Sequence, residues 1–281
     1  MATQVLSDDQ IRLFKRDGFL CLRGFYDRER ELLPIQRGIH GIIGLVIQKY
    51  GLPIEQAPFR GEAFDSGFQE LIAIDRGHGG EVYDAIKQIP AFVRLVASEK
   101  NERILRELRA TDAPGVAAGS FGIRIDNPGE EKFRANWHQD YPANFRSLDG
   151  VVFWAPLTPI TEEMGPVRFC VGSHKDGLRR CHSRDPEHPE KTGAYALRLE
   201  NEQSVVDSYP QAAPLTDPGD LVIIDYLTIH SSGFNRARRS RWTMQSRYFN
   251  FDEPTGIRLG WKGGFGVGAQ LRDIHPELLI D

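Results

Sequence analysis

Cysteine is scarce in this 281-residue chain: Cys21, Cys170 and Cys181 are too few and too scattered to form a disulfide framework, so a reducing cytoplasm is the default expectation. Long apolar runs are missing as well. The longest, Ile39 to Ile47, is interrupted by His40, Gly41 and Gly44 and falls well short of the roughly 20 residues that span a bilayer. Met1 to Asp9 lacks the basic and apolar regions of a secretory signal. Neither charge sign is gathered into a block and the formal net charge is only -4, so neither nucleic acid nor a membrane surface is expected as a partner. No internal repeat is visible. Glycines 263, 264, 266 and 268 cluster around Phe265, but without the preceding strand and following helix of a phosphate-binding loop they receive no cofactor role. At 40% hydrophobic residues the chain can still build a proper core.

The first 110 residues read as mainly helical. Ser7 with Gln10 has the form of a capping box, Ile11 and Phe14 share one helical face, and Gly18 is a stop before a short strand at 19–23. Dense apolar residues suit a helix over 28–50, despite glycines at 38, 41 and 44, and 51–80 has no clear period. Helical spacing returns at Val82, Ile86 and Ile89, breaks at Pro90, resumes at Phe92, Leu95 and Val96, and recurs from Asn101 to Leu108. After Pro114 the pattern changes. Strand-like stretches at 118–125, 149–156, 167–171, 194–199, 221–229 and 242–251 are separated by Gly, Pro and Asp turns, which argues for a barrel or sandwich. The expected fold class is therefore mainly β with flanking helices. All of 1–281 is taken as a single domain, helical over about 1–112 with a β-core over about 115–252. The charged stretch 173–193 has no apolar period and is expected to be either mobile surface or a cover over a site.

Chemistry concentrates at Trp137-His138-Gln139-Asp140. On a strand, side chains two apart share a face, so His138 and Asp140 could offer two ligands to one metal ion. His230, at the end of the run from Leu221 to Ile229, is the candidate third ligand. Two histidines and one carboxylate with the opposite positions open is the arrangement of a non-haem iron(II) oxygenase. In a chain with eight histidines the His-x-Asp triplet alone has little specificity, and its context carries the reading. Trp137 and Gln139 face the other way, as packing residues. Beyond His230 a turn through Arg236, Arg238 and Arg239 returns the chain as an antiparallel strand, so Arg241 can face the metal and hold the far carboxylate of a dicarboxylate co-substrate. Thr243, Gln245 and Arg247 share its face by alternation.

Together these segments resemble the phytanoyl-CoA dioxygenase-like family of iron(II)/2-oxoglutarate oxygenases. The resemblance runs from Phe14-Lys15-Arg16-Asp17-Gly18-Phe19 through Trp137 to Asp140 and Phe153-Trp154-Ala155-Pro156-Leu157. It continues through Gly165-Pro166, Gly172-Ser173-His174 and Gly219-Asp220 to the run from His230 to Arg241. It implies a double-stranded β-helix, or cupin-like jelly-roll, with Fe(2+) held by His138, Asp140 and His230. It further implies 2-oxoglutarate anchored by Arg241 with Ser232 and Trp154 nearby and Thr243 assisting, dioxygen as the second co-substrate, and hydroxylation of an unactivated carbon. Related halogenases lack the carboxylate ligand, so Asp140 argues against halogenation.

Arginines 124, 134, 146, 168 and 247 lie in or beside the strands; if two or three face the mouth, the substrate carries a carboxylate, phosphate or sulfate. Arg247, and after it Arg124, are the candidate substrate contacts. The expected substrate is a small polar metabolite, with no basic patch for the phosphates of coenzyme A. Cys170, His174, Cys181 and His182 match no common zinc spacing, and His40, His78, His188 and His275 read as surface or packing residues. Two rival readings remain open: a catalytically silent jelly-roll that binds a sugar or peptide, and a metal-dependent hydrolase on the same ligands.

Overall fold

The structure, a computed structural model, describes residues 4–264 and 270–280; Phe265, Gly266 and Gly268 of the glycine cluster lie outside the described residues. Helix α1 (Asp8–Asp17) begins with the expected capping box, in which Gln10 N–H donates to Ser7 Oγ (3.2 Å) and Ser7 N–H to Gln10 Oε1 (2.8 Å). It ends at Gly18 in the left-handed region, φ 81°. A π-helical turn (Arg28–Leu32) capped by Asp27 runs into α2 (Leu33–Tyr50). The stretch without a clear period holds α3 (Phe68–Ile74) and the start of α4 (Arg76–Ile86). Pro90 opens α5 (Pro90–Val96), and α6 (Glu99–Arg109) follows.

The strands are β1 (Phe19–Leu22), β2 (Pro114–Val116), β3 (Gly122–Asp126), β4 (Val151–Pro156), β5 (Val167–Cys170), β6 (Cys181–His182), β7 (Arg198–Leu199), β8 (Gln211–Ala212), β9 (Leu221–Asp225), β10 (His230–Ser232) and β11 (Arg241–Asn250). One sheet has the order β1-β9-β4-β11-β2, with β3 also paired to β11; a second has the order β10-β5-β8, and β6 pairs with β7. Every paired strand is antiparallel.

The fold corrects the expectation of a mainly β chain: helix, at 37%, exceeds strand, at 18%. The helical N-terminal part is present as read, and β11 is as long as the stretch expected there, but the other strand-like stretches are shorter than their apolar content suggested. The run 221–229 keeps only β9 before a turn at Tyr226–Thr228, with β10 starting just beyond it, and 194–199 keeps only β7 after a 3-10 turn. Apolar loop residues such as Ile229, fully buried, fill the core without joining a ladder. His138 and Asp140 are a second correction, because they stand on no regular strand. His138 forms one isolated antiparallel bridge with His230, and Asp140 precedes a 3-10 turn (Tyr141–Ala143).

Strand alternation sorts the core. Val151, Phe153 and Ala155 of β4, with Trp242, Met244 and Tyr248 of β11, face the helices and form one cluster with Ile35, Ile39 and Leu105. Val152 and Trp154 face the other way, against Val167 and Phe169 of the second sheet. The polar side chains Arg241, Thr243, Gln245 and Arg247 alternate with the helix-facing residues of β11 and so share the face turned toward that second sheet.

Candidate metal centre and cavity

His230 is positioned from behind by residues distant in sequence. The carbonyl of Gly18 accepts from Asp225 N–H (2.9 Å) and from Thr228 Oγ1 (2.7 Å), which fixes the turn after β9. A side chain at position 18 would meet Thr228 Oγ1 at 2.3 Å and His174 Nδ1 at 2.5 Å, so only glycine fits. Ser173 Oγ accepts from Ile229 N–H (2.9 Å), and Gly172 N–H donates to Asp17 O (2.8 Å). The segments around Gly18 and Gly172-Ser173-His174 therefore meet behind His230. His174 is part of this support.

His138 and His230 exchange two backbone hydrogen bonds of 3.0 Å, which sets their rings 4.3 Å apart. His138 Nδ1 lies 2.7 Å from Asn136 O, and His230 Nδ1 2.9 Å from Thr228 O. A carbonyl only accepts, so each Nδ1 carries the proton and each Nε2 presents a lone pair. Asp140 is held by its own N–H to Tyr226 O (2.9 Å) and by Asn144 Nδ2 to its carbonyl (3.1 Å). Its Oδ2 stands 3.2 Å from His230 Nε2. Two such atoms come that close only with a proton or a metal cation to share. One donor atom from each of His138, Asp140 and His230 lies within 4.8 Å of the others, and this is the one such group of three metal-ligating side chains among the described residues. The donor set fits a divalent iron with open positions opposite.

The electrostatics keep His138 and Asp140 in ligating form. Burial, then the charge of His230, lowers the His138 pKa to about 4, which leaves a neutral imidazole at neutral pH. Burial alone would raise the Asp140 pKa, but the Arg247 guanidinium and the histidines more than offset it and hold the carboxyl well below its usual range. Arg247 donates to Asp140 Oδ1 from Nη2 (3.0 Å) and Nε (3.2 Å). Oδ1 is thus taken and Oδ2 remains for a metal.

The cluster opens on a cavity of about 420 Å³ whose lining includes His138, Asp140, Arg124, Tyr195, Gln245 and Arg247. That size is within the range that holds small molecules. Both candidate substrate arginines reach it, but each is paired: Arg247 with Asp140 at 3.0 Å, Arg124 with Asp126 at 2.7 Å. Arg134 turns to Glu131, Arg146 to Ala118 O and Ser120 Oγ, and Arg168 to the ring of Trp137. The count of arginines therefore carries no argument for an anionic substrate.

Arg241 is 2% exposed and does not line this cavity. Its guanidinium pairs with Asp126 (3.0 Å) and donates to the carbonyls of Gly165, Met164 and Gly233. The residues from Gly165 and Gly233 cross with their backbones in contact: a Cβ at Gly165 would stand 2.5 Å from Gly233 C, and one at Gly233 2.7 Å from Pro166 O. Ser232, beside Gly233, and Trp154, opposite Gln245 in the ladder, are both buried. Thr243 is fully buried and its Oγ1 has no hydrogen-bond partner. An orphaned hydroxyl two residues from Arg241 on the same face fits a polar ligand there.

Asn136, Asp185 and Lys191 escaped sequence reasoning, and Gln139 reads there as packing without its partners. Asn136 accepts from His138 and is clasped by Asp185 (2.6 Å) and Lys191 (2.8 Å) of the 173–193 segment. Gln139 binds Gly177 O, Leu227 O and Arg179 N–H at 2.7–2.8 Å. The charged segment is therefore anchored on both sides of His138 rather than loose, and none of its described residues lines the cavity. Buried Asp185 and Lys191, at 2% and 5% exposure, are polar residues that only a specific partner can satisfy, and nothing local in the sequence names that partner.

Antiparallel sheets enclosing a site with two histidines and a carboxylate define a class of mononuclear metal oxygenases. Residues 14–243 match the model of the phytanoyl-CoA dioxygenase family, and the chain belongs to it. It is thereby an iron(II)- and 2-oxoglutarate-dependent dioxygenase, with Fe(2+) as its metal and 2-oxoglutarate and dioxygen as co-substrates. No curated protein matches the chain in sequence. Among solved structures it is similar to EctD from S. alaskensis with bound Fe, at 15% identity over 96% of this chain and 90% of that one, TM-score 0.57. It is also similar to the epimerase SnoN in complex with Fe3+, alpha ketoglutarate and nogalamycin RO, at 15% identity over 94% and 91%, TM-score 0.56. A third is AviO1 from Streptomyces viridochromogenes Tue57, at 15% identity over 90% and 99%, TM-score 0.53. At these identities the likeness is one of fold. No described helix is long and apolar enough to cross a membrane.

Proposed function

We propose that this chain hydroxylates an unactivated carbon of a small polar metabolite at an iron(II) held by His138 Nε2, Asp140 Oδ2 and His230 Nε2. The iron would sit in a jelly-roll core within a single cytoplasmic domain spanning 1–281. The observation that carries the assignment is the convergence of three donors to within 4.8 Å of one another, two of them on the cavity wall, with both Nδ1 atoms tied to backbone carbonyls and Oδ1 tied to Arg247. When bound, iron with 2-oxoglutarate and dioxygen supplies an oxidation strong enough to break a C–H bond, releasing succinate and carbon dioxide. The chain's part is to hold the ligands, shape the cavity and aim the substrate.

Arg241 is the proposed anchor of the distal 2-oxoglutarate carboxylate, which would share the guanidinium with Asp126, while Thr243 Oγ1 gains the partner it lacks. Ser232 and Trp154 complete that end of the site. Arg124, Gln245 and Arg247 form the wall that meets the substrate.

Incubation with iron(II), ascorbate and 2-oxoglutarate tests the assignment. Slow succinate formation without substrate is expected, and Asp140→Ala should abolish it; unchanged turnover in that variant would remove Asp140 from the mechanism. Activity without dioxygen would instead indicate a hydrolase.

A further inference from the structure

A second cavity, of about 210 Å³, adjoins the first between α4 and β3 and shares Tyr83, Arg124 and Tyr195 with it. Its lining adds two more aromatic rings, Phe68 and Phe133, and the ring of Phe133 meets that of Tyr195 edge to face with centroids 6.4 Å apart. Phe133 and Tyr83 remain 40% and 44% exposed even with Tyr195 and Arg76 against Phe133 and Lys87 against Tyr83, which leaves apolar surface open to a guest.

The charged and amide side chains of this cavity are already paired. Arg76 pairs with Glu130 through Nε and Nη2, at 2.5 and 3.0 Å. Arg124 is bound by Asp126 and by Phe133 O (2.6 Å) and lies over the ring of Tyr195, 5.3 Å from its centroid. Asn127 donates to Glu130 and accepts from Ser240. A charged guest would find no free counter-charge among these groups, whereas a flat neutral ring would find aromatic faces and edges.

The wall of α4 supports the same conclusion. Gly79 and Gly80 stand together inside the helix, where each costs about 1 kcal/mol relative to alanine. Packing explains Gly79, whose Cβ would lie 2.7 Å from Ile72 Cγ2. It does not explain Gly80, which is half-buried, lines the cavity, and whose Cβ would meet nothing within 4 Å. The absent side chain there keeps the cavity open.

We infer that this cavity seats a neutral aromatic or flat unsaturated ring of the substrate while the attached polar part reaches the metal centre. An apolar cavity of about 150 Å³ already admits benzene, so one or two fused rings suit this one. The inference rests on the oxygenase reading for its link to the reacting carbon, and it can be tested apart from it.

The probes are 2-naphthol and naphthalene-2-sulfonate, titrated by ligand-observed NMR against the iron-loaded full chain. The expected result is that 2-naphthol binds at least as tightly as the sulfonate and that Gly80→Leu weakens it at least tenfold. Gly41→Leu, an exposed glycine of α2 with open space around it, should leave binding unchanged. Cooperative melting checks that each variant is folded. Should Gly80→Leu not fold, Tyr83→Ala is expected to show the same loss. No binding by the wild type, equal binding by the folded Gly80→Leu and wild-type proteins, or tenfold tighter binding of the sulfonate would overturn the inference. Succinate formation by the wild type without probe reports on the oxygenase reading separately: ring binding without succinate sinks that reading alone, and succinate without ring binding sinks this one alone.

Discussion

Arg247→Met removes the guanidinium that holds Asp140 Oδ1 through two charge-assisted hydrogen bonds, at 3.0 and 3.2 Å, while keeping most of the side-chain volume. The carboxylate is 4% exposed and cannot recover these bonds freely from water; Arg247 itself is 20% exposed, which softens the loss. Partners of this kind typically contribute 10- to 100-fold to metal affinity, about 1.4–2.8 kcal/mol. Two effects oppose each other. The guanidinium repels the incoming cation, yet it also aims Oδ2 by occupying Oδ1, and solvent at the cavity mouth screens the repulsion more than the contact bonds. The orienting effect is therefore expected to win, with iron(II) affinity falling 10- to 100-fold by anaerobic competition with a chelator. The drop should be larger at pH 6 than at pH 8, because Arg247 is one of the groups that keep the Asp140 carboxyl ionised. Equal or tighter binding by Arg247→Met would refute the reasoning, since repulsion would then dominate.

Asp126→Ala leaves Arg124 and Arg241 without their shared carboxylate and should cost about 3–5 kcal/mol in chemical denaturation, with saturating 2-oxoglutarate raising the melting temperature more in the variant than in the wild type. Arg124 and Arg241 outweigh burial and hold the Asp126 pKa below 3.8, so the unfolded chain protonates first. The difference between wild type and variant should be full above about pH 3.8 and narrow as pH falls through the lowered folded value. Gly165→Ala places a Cβ 2.5 Å from Gly233 C and Phe234 O at a residue with φ 68°, and a loss of at least about 1–3 kcal/mol is expected from thermal melts. Gln139→Ala removes three hydrogen bonds to Gly177, Leu227 and Arg179; faster amide exchange over 177–182 is expected, with about 2 kcal/mol or more lost, and unchanged exchange would show that Gln139 does not anchor the segment.

Local signals proved legible where one short segment decides the outcome. The capping box at Ser7, the left-handed stop at Gly18 and the break at Pro90 each depend on a few neighbouring residues, and each stands where the sequence placed it. The alternation that puts Arg241, Thr243, Gln245 and Arg247 on one face is equally local. The strand assigned to His138 and Asp140 was not, because whether an extended segment joins a ladder depends on a partner 92 residues away, and here only one bridge forms. The same limit hid Asp126 as the partner of Arg241 and Asp140 as the partner of Arg247, so the arginines read as free cations when they are paired. Gln139 was read as a packing residue, and its three hydrogen bonds give that role physical content.

The central claim is that His138, Asp140 and His230 form one iron(II) site that accepts 2-oxoglutarate. Anaerobic titration of the full chain with iron(II) and then 2-oxoglutarate, followed by visible absorbance, tests it most directly. A metal-to-ligand charge-transfer band that saturates at one equivalent of iron and is absent from folded His138→Ala and Asp140→Ala proteins is the expected result. A wild-type chain that binds no iron, or a band of equal strength in the folded Asp140→Ala protein, would contradict the account.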